Sequence, residues 1–209
     1  MIGPLSTDLA PAPTLASERL VLRPLCRGDA YAIAEQAGDR RVARHLADVP
    51  SPFPVAMAMS WVTARLDRWS RGGGPTYAIT ERAAGPNLIG TVSMRSVPRD
   101  RRAELGYWLG HASWGRGMAS EAVHRILHWA FVESDLHRVY AQVIAGNRRS
   151  HRVLEKAGMT LEGTRRGHLR KGRRFLDVDQ YGVLREEWLS LPAGAPPTPP
   201  TPPTPPTTT

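Results

Sequence analysis

Two glycines one residue apart stand where a strand-like run gives way to a helix-like one, in Trp108-Leu109-Gly110-His111-Ala112-Ser113-Trp114-Gly115-Arg116-Gly117-Met118-Ala119. Lacking a Cβ, Gly115 and Gly117 let the backbone approach an anion closely, and the helix start beyond them offers unpaired N–H groups and the positive end of a dipole. The chemistry this suits is the cradling of a phosphate. It is not a Walker loop, because no GxxxxGK[ST] occurs, and the Rossmann spacing fails at Ser120. Taken alone, a GxG before a helix also describes a plain helix-entry turn.

Other chemistry is weaker in the sequence. His124 and His128 have the i, i+4 spacing of metal ligands, but they fall on the polar side of their helix and lack the glutamate of HExxH, so no metal is expected. Cys26, the single cysteine, has no matching histidine-bearing motif for a nucleophile and reads as a small buried residue.

The elements that must position the glycine loop follow from periodicity. Residues 18–25 alternate as a strand, and 29–46 carry helix spacing with Ala30, Ile33, Ala34 and Ala37 on one face. After Pro50, Pro52 and Pro54, the segment 55–69 reads as a helix that Gly72, Gly73 and Gly74 stop. Strands are predicted over 76–80, 88–94 and 103–109, in a meander. Beyond Gly115, Ala119, Ala122, Val123, Ile126, Leu127 and Ala130 share one helical face. A strand over 138–144, a short helix over 150–157 ended by Gly158, and two further strands complete a mixed α/β (α+β) domain.

Composition bounds the rest. At 209 residues, one domain is expected over 17–191. It is preceded by a loosely ordered Pro/Ala-rich segment, 1–16, and followed by a disordered Pro/Thr-rich tail, 192–209, which carries too little apolar surface to offset its chain entropy. One cysteine excludes disulfide scaffolds and multi-thiolate zinc sites, and the N-terminus has no signal-peptide pattern, so a cytoplasmic protein without a membrane span is expected. The net charge of +9 rests almost wholly on arginine, with Lys156 and Lys171 the only lysines; the basic residues are scattered, and direct nucleic-acid binding is not expected.

The ordered runs AELGYWL, WGRGMASEA, HRVYAQVIAGNRRSHRVLEKAGM, LEGTRRG and DVDQYGVLREEW, with ERLVLRPL at the start, resemble the GNAT superfamily of N-acetyltransferases. They look most like its Rim-type branch, whose members acetylate the N-termini of ribosomal proteins. The resemblance spans about residues 17–190. It implies the GNAT acyl-CoA N-acyltransferase fold: a mostly antiparallel sheet with two central parallel strands that splay apart, here 103–109 and 138–144.

The resemblance also implies acetyl-CoA as co-substrate. Its pantetheine would pair with Trp108 and Leu109 backbone groups, its pyrophosphate would meet the N–H groups of Gly115, Arg116, Gly117, Met118 and Ala119, and Asn147 and Ser150 would contact the arm and the thioester side. Asn147 and Ser150 are equally plain helix caps. The chain departs from the pattern twice: Trp114 stands where Gln or Arg is usual, with Arg116 a possible substitute charge, and Leu154 stands where many members carry an acid tyrosine. Ser150 is then the group nearest the sulfur.

Glu104, on the first splayed strand, is the leading general base, through water; His168, Asp177 and His111 rank below it, and Trp61 is a candidate for the acceptor groove. An α-amine of pKa near 8 is about a tenth neutral at pH 7, whereas a lysine is neutral in roughly one molecule in 2,500, so a modest base suffices for the former. The expected activity is transfer of acetyl to a primary amine, foremost a protein N-terminus, by a monomer or homodimer. A small-molecule or antibiotic amine, another acyl donor, and a non-catalytic ribosome- or RNA-associated module are the alternatives. The acceptor is expected to meet segments 27–75 and 164–175, the second an arginine-rich hairpin.

Overall fold

In the computed structural model, residues 12–191 are described; the segment 1–11 and the Pro/Thr-rich stretch 192–209 lie outside them. One eight-stranded sheet runs in the order β1-β2-β3-β4-β5-β6-β8-β7. Leu15–Ala16 (β1) and Leu20–Pro24 (β2) lead into helices Asp29–Gly38 (α1), Arg40–Ala43 (α2) and Val55–Ser70 (α3). Thr76–Glu81 (β3), Leu88–Val97 (β4) and Arg102–Leu109 (β5) form the antiparallel meander predicted for them. Helix Met118–His128 (α4) then carries the chain over to Arg138–Ile144 (β6), which lies parallel to β5. Arg148–Lys156 (α5), the hairpin Thr160–Lys171 (β7) and Arg174–Leu184 (β8), and Arg185–Ser190 (α6) end the fold.

Three differences from the sequence reading have local causes. The helix expected over 29–46 breaks at Asp39, whose backbone turns extended (ψ 129°) and whose Oδ1 accepts from the Arg41 N–H at 2.8 Å, starting α2 anew. Within the segment expected to be loosely ordered, Leu15 pairs with Leu22 and is 1% exposed, so a single apolar side chain fastens β1 to the sheet. Cys26 is exposed rather than buried, in the turn between β2 and α1 where its N–H donates to Asp29.

The sheet separates two cores. On one face β-strand residues such as Leu20, Leu22, Leu105 and Val139 meet Ala122, Val123, Ile126 and Leu127 of α4 and Leu154 of α5. On the other, Ala30, Ile33 and Ala37 of α1 and Ala58 and Val62 of α3 close over Ala78 and Leu88, with Trp108 packed alongside. Alternation along β5 therefore divides its side chains: Ala103, Leu105 and Leu109 belong to the first core and Trp108 borders the second. No helix among the described residues is long and apolar enough to cross a membrane.

Candidate active site

β5 pairs with β6 only from Arg102↔Arg138 to Leu105↔Ala141, although the strands continue to Leu109 and Ile144. Past Leu105 they part, and the opening is a cleft of about 880 Å³ that reaches both faces of the sheet. Met118 and Val153 wall it on the α4/α5 face, and Ile33 and Trp61 on the α1/α3 face.

At one end lies the glycine loop. Gly115 and Gly117 hold φ of +77° and +78°, a region that costs other L-residues about 1–2 kcal/mol, and the space a Gly115 Cβ would take is open. Gly117 is the N-cap of α4, with no side-chain cap. The first helical bond runs from the Glu121 N–H to the Gly117 carbonyl, so the N–H groups of Gly117 through Ser120 have no helical partner, the arrangement that suits an anion. From behind, Glu121 accepts from Ser17 Oγ (2.8 Å), the Arg19 N–H (2.8 Å) and Arg19 Nε (2.7 Å), while Arg19 also donates to the Arg116 carbonyl at 3.0 Å. This brace fixes the loop to the turn between β1 and β2. The chemistry of the site, an open glycine cradle with free donors, fits the pyrophosphate of a nucleotide-bearing co-substrate.

The charge at this lip differs from expectation. The Arg116 guanidinium forms a two-pronged pair with Glu81, both contacts 2.9 Å, so it is not available as the substitute for a missing Gln or Arg. Instead Arg149 of α5 stacks 4.8 Å from the Trp114 ring centre, and Arg149 and Arg152 border the cleft. Trp114 itself donates its indole N–H to the Leu109 carbonyl at 2.8 Å, taking one acceptor of the strand edge proposed for the pantetheine. The sequence reading missed Arg149 and Arg152 because RRSHR looks like a solvated helix face.

Midway, Asn147 caps α5: its Oδ1 accepts from the Ser150 N–H at 3.4 Å. Ser150 Oγ lies 2.6 Å from the hydroxyl of Tyr107, which also donates to the Ser150 carbonyl at 3.2 Å. Burial pushes the Tyr107 hydroxyl far above the ordinary tyrosine range, the bond to Ser150 pulls against it, and the nearby Tyr181 adds to the rise. It stays protonated at neutral pH. Leu154 of α5 is fully buried, while the tyrosine hydroxyl beside Ser150 arrives from β5. Tyr107 was not singled out from the sequence; the signal was its odd step from Glu104 along a strand, which puts it on the face of α5.

The other end is built from side chains. Glu104 forms an ion pair with Arg95, its cross-strand neighbour on β4, and both border the cleft beside Trp61, Arg65 and Arg68 of α3. Lys171, at the tip of the β7–β8 hairpin, donates to the carbonyls of Ala43 (2.9 Å) and Leu46, tying the arginine-rich hairpin to the segment after α2 that roofs this end. The lower-ranked candidates lie elsewhere. Asp177 accepts from the Gly167 N–H at 2.7 Å within the hairpin, His168 is exposed on β7, and His111 stacks on Trp114, 5.0 Å between ring centres. His124 and His128 pack against Trp188 of α6.

Comparison with known proteins bears on this arrangement. The family model described as "Acetyltransferase (GNAT) domain" matches residues 19–160. An uncharacterized N-acetyltransferase, p20, of Bacillus licheniformis is 29% identical over 176 residues, covering 84% of this chain and 98% of its own. The ribosomal-protein-serine acetyltransferase of Escherichia coli K12 is 32% identical over 77 residues, 36% of this chain and 43% of its own. A ribosomal L7/L12 alpha-N-protein acetyltransferase solved in complex with coenzyme A shares the fold, with a TM-score of 0.73 at 21% identity over 82% of this chain and 98% of that one. The chain belongs to the GNAT family of acetyltransferases.

Proposed function

We propose that this GNAT acetyltransferase takes acetyl-CoA as donor and transfers the acetyl group to a primary amine, foremost the α-amine of a protein N-terminus, by direct attack in a ternary complex in the cytoplasm. The observation that carries the reading is the single cleft joining the glycine cradle, through the gap between β5 and β6, to the carboxylate of Glu104. The local kinship with a ribosomal-protein-serine acetyltransferase supports the choice of acceptor.

When bound, acetyl-CoA supplies an acyl group activated as a thioester. The N–H groups of Gly115, Arg116, Gly117, Met118 and Ala119 hold its pyrophosphate, Arg149 and Arg152 add positive charge at the lip, and the stretch of β5 at Trp108 and Leu109 that β6 leaves unpaired, its Leu109 carbonyl shared with the Trp114 indole, lines the pantetheine path with Asn147. Glu104 takes the proton that the amine sheds on forming its new bond, through an intervening water. An α-amine asks little of its base, since about a tenth of it is already neutral at pH 7. At the other side of the reacting centre, Ser150 presents its hydroxyl to the departing sulfur, and the Tyr107 hydroxyl backs it with a further proton. Most of the acceleration then comes from holding amine and thioester together.

The test is a thermal-shift titration with acetyl-CoA, CoA and succinyl-CoA, followed by an assay of CoA release with N-terminal peptides, lysine side-chain peptides and small amines. A ligand at 100 times its dissociation constant adds about 2.7 kcal/mol, raising the melting temperature by several degrees. The reading requires the shift with acetyl-CoA and turnover on free N-termini; turnover confined to small amines overturns the choice of acceptor.

A further inference from the structure

The acceptor end of the cleft carries more positive than negative charge. Arg65, Arg68 and Arg95 border it together with two carboxylates, Glu104 and Asp48. Arg95 is already committed to Glu104. Among the described residues, no carboxylate lies within ion-pair distance of Arg65 or Arg68: Arg65 stacks 4.5 Å from the ring centre of Trp61, and Arg68 packs its stem against Gly73. Asp48 reaches Arg65 only through its longer-range field.

The cost of this arrangement is visible in both side chains. Burial, then the fields of Arg68 and Arg95, bring Arg65 down to about 10, and burial with Arg95 lowers Arg68 as well, against the weaker opposing field of Glu104. Guanidiniums that are half withdrawn from water, mutually repelling and without a carboxylate partner, form a site that an incoming carboxylate would complete, since a fork of N–H donors matches it in two prongs. These arginines are not placed to serve the phosphates of the donor. Glu104 precedes Trp108 by four strand positions, about 13 Å at 3.3 Å per residue, and lies away from the cradle that follows Leu109.

We infer that Arg65 and Arg68 are specificity-determining residues that select acceptors bearing a carboxylate close to the reacting amine, and that the same charge turns away polycationic amines. The inference rests on the acetyl-to-amine reading above and sharpens it. The carboxylate comes either from an acidic side chain next to a peptide N-terminus or from the α-carboxylate of a free amino acid. Positive charge beside the reacting nitrogen also favours its neutral, nucleophilic form.

The experiment measures CoA release by the full chain with isosteric pairs: Ala-Asp against Ala-Asn peptides for the first source, alanine against alaninamide for the second, with spermidine as the cationic counter-case. The expected result is at least a tenfold higher kcat/KM for the carboxylate member of one pair, expressed mainly in KM, with spermidine the poorest acceptor. In the Arg65→Gln/Arg68→Gln double variant the ratio within that pair falls to about one, and Arg→Lys replacements restore part of it. Circular dichroism and calorimetric titration with acetyl-CoA certify that each variant is folded and binds donor. Equal use of both members of both pairs, or a ratio unchanged in the double variant, overturns this inference while leaving the acetyltransferase reading intact. Absence of turnover with every amine, despite bound acetyl-CoA, overturns both.

Discussion

The two ends of the cleft are made of different materials. The glycine-loop end is backbone: N–H groups at the start of α4, two residues held at positive φ, and a brace from Glu121 to the turn between β1 and β2. The Glu104 end is side chain: arginines from α3 and β4, a carboxylate from β5 and an indole from α3, under a roof tied down by Lys171. Backbone donors cannot be changed by substitution except through the glycines that aim them, whereas every group at the other end can be exchanged singly. The first end suits a donor shared across a family, and the second suits an acceptor that differs from member to member.

The sharpest break of this contrast is Gly117→Glu. It forces a side chain into positive φ and sets a negative charge at the cradle, so acetyl-CoA affinity should fall at least 100-fold, about 2.7 kcal/mol, in calorimetric titration. Gly115→Ala, whose methyl would enter the open space of the cradle, should cost roughly tenfold. Should Gly117→Glu bind acetyl-CoA as the parent does, the cradle is not where the phosphates go.

Changes at the other end should separate cleanly from these. Glu104→Gln is expected to lower kcat on the order of 100-fold, the usual range for a lost general base, with the acetyl-CoA dissociation constant within about twofold of the parent. A loss of donor affinity equal to the loss of turnover would instead make Glu104 a structural partner of Arg95. Tyr107→Phe should lower kcat by about tenfold, and Ser150→Ala by a similar factor. The double variant should lose little more than either single one, because the two hydroxyls form one bonded pair 2.6 Å apart. Multiplying effects would show them acting apart.

This difference in material also explains what could be read from the chain. Gly115 and Gly117 are adjacent to the helix they serve, and the strand alternation of 103–109 and 138–144 carries the splayed pair, so the donor end and the sheet core are encoded within short windows. The Tyr107–Ser150 bond joins residues 43 positions apart, and Arg65 and Arg68 come to border one cleft with Arg95 and Glu104 only after α3 is laid across the sheet. No local spacing marks such encounters. The commitment of Arg116 was missed for the related reason that its partner, Glu81, lies 35 residues upstream at the end of β3. The break of the first helix at Asp39 was local and legible, since Gly38-Asp39 is a stop followed by a cap.

The smallest expected effect concerns the roof, and its sign is fixed by charge. Burial, then the fields of Arg44, Arg149 and Lys171, hold the His45 imidazole below the ordinary histidine value of 6.5, and Arg44 Nε donates to its Nε2 at 3.0 Å, a bond that protonation of Nε2 removes. A histidine depressed on folding contributes its stability above the unfolded value, and that contribution is lost as pH falls from about 6.5 through the folded value. The melting temperature should therefore drop between pH 7 and pH 5.5 by more in the parent than in His45→Gln, a difference on the order of 1 °C. Because the opposing charges at His45 sit on α5 and on the hairpin as well as beside it, Lys171→Met should relieve part of the same dependence. The Lys171 ammonium, itself lowered by burial, spans the roof from the far side, and its removal takes away a like charge along with two hydrogen bonds. Relief of the acid sensitivity accompanied by a lower melting temperature at pH 7.5 is the outcome that identifies the hairpin tip as a tie on the acceptor end; an unchanged pH profile in both variants would assign the acid loss to other groups.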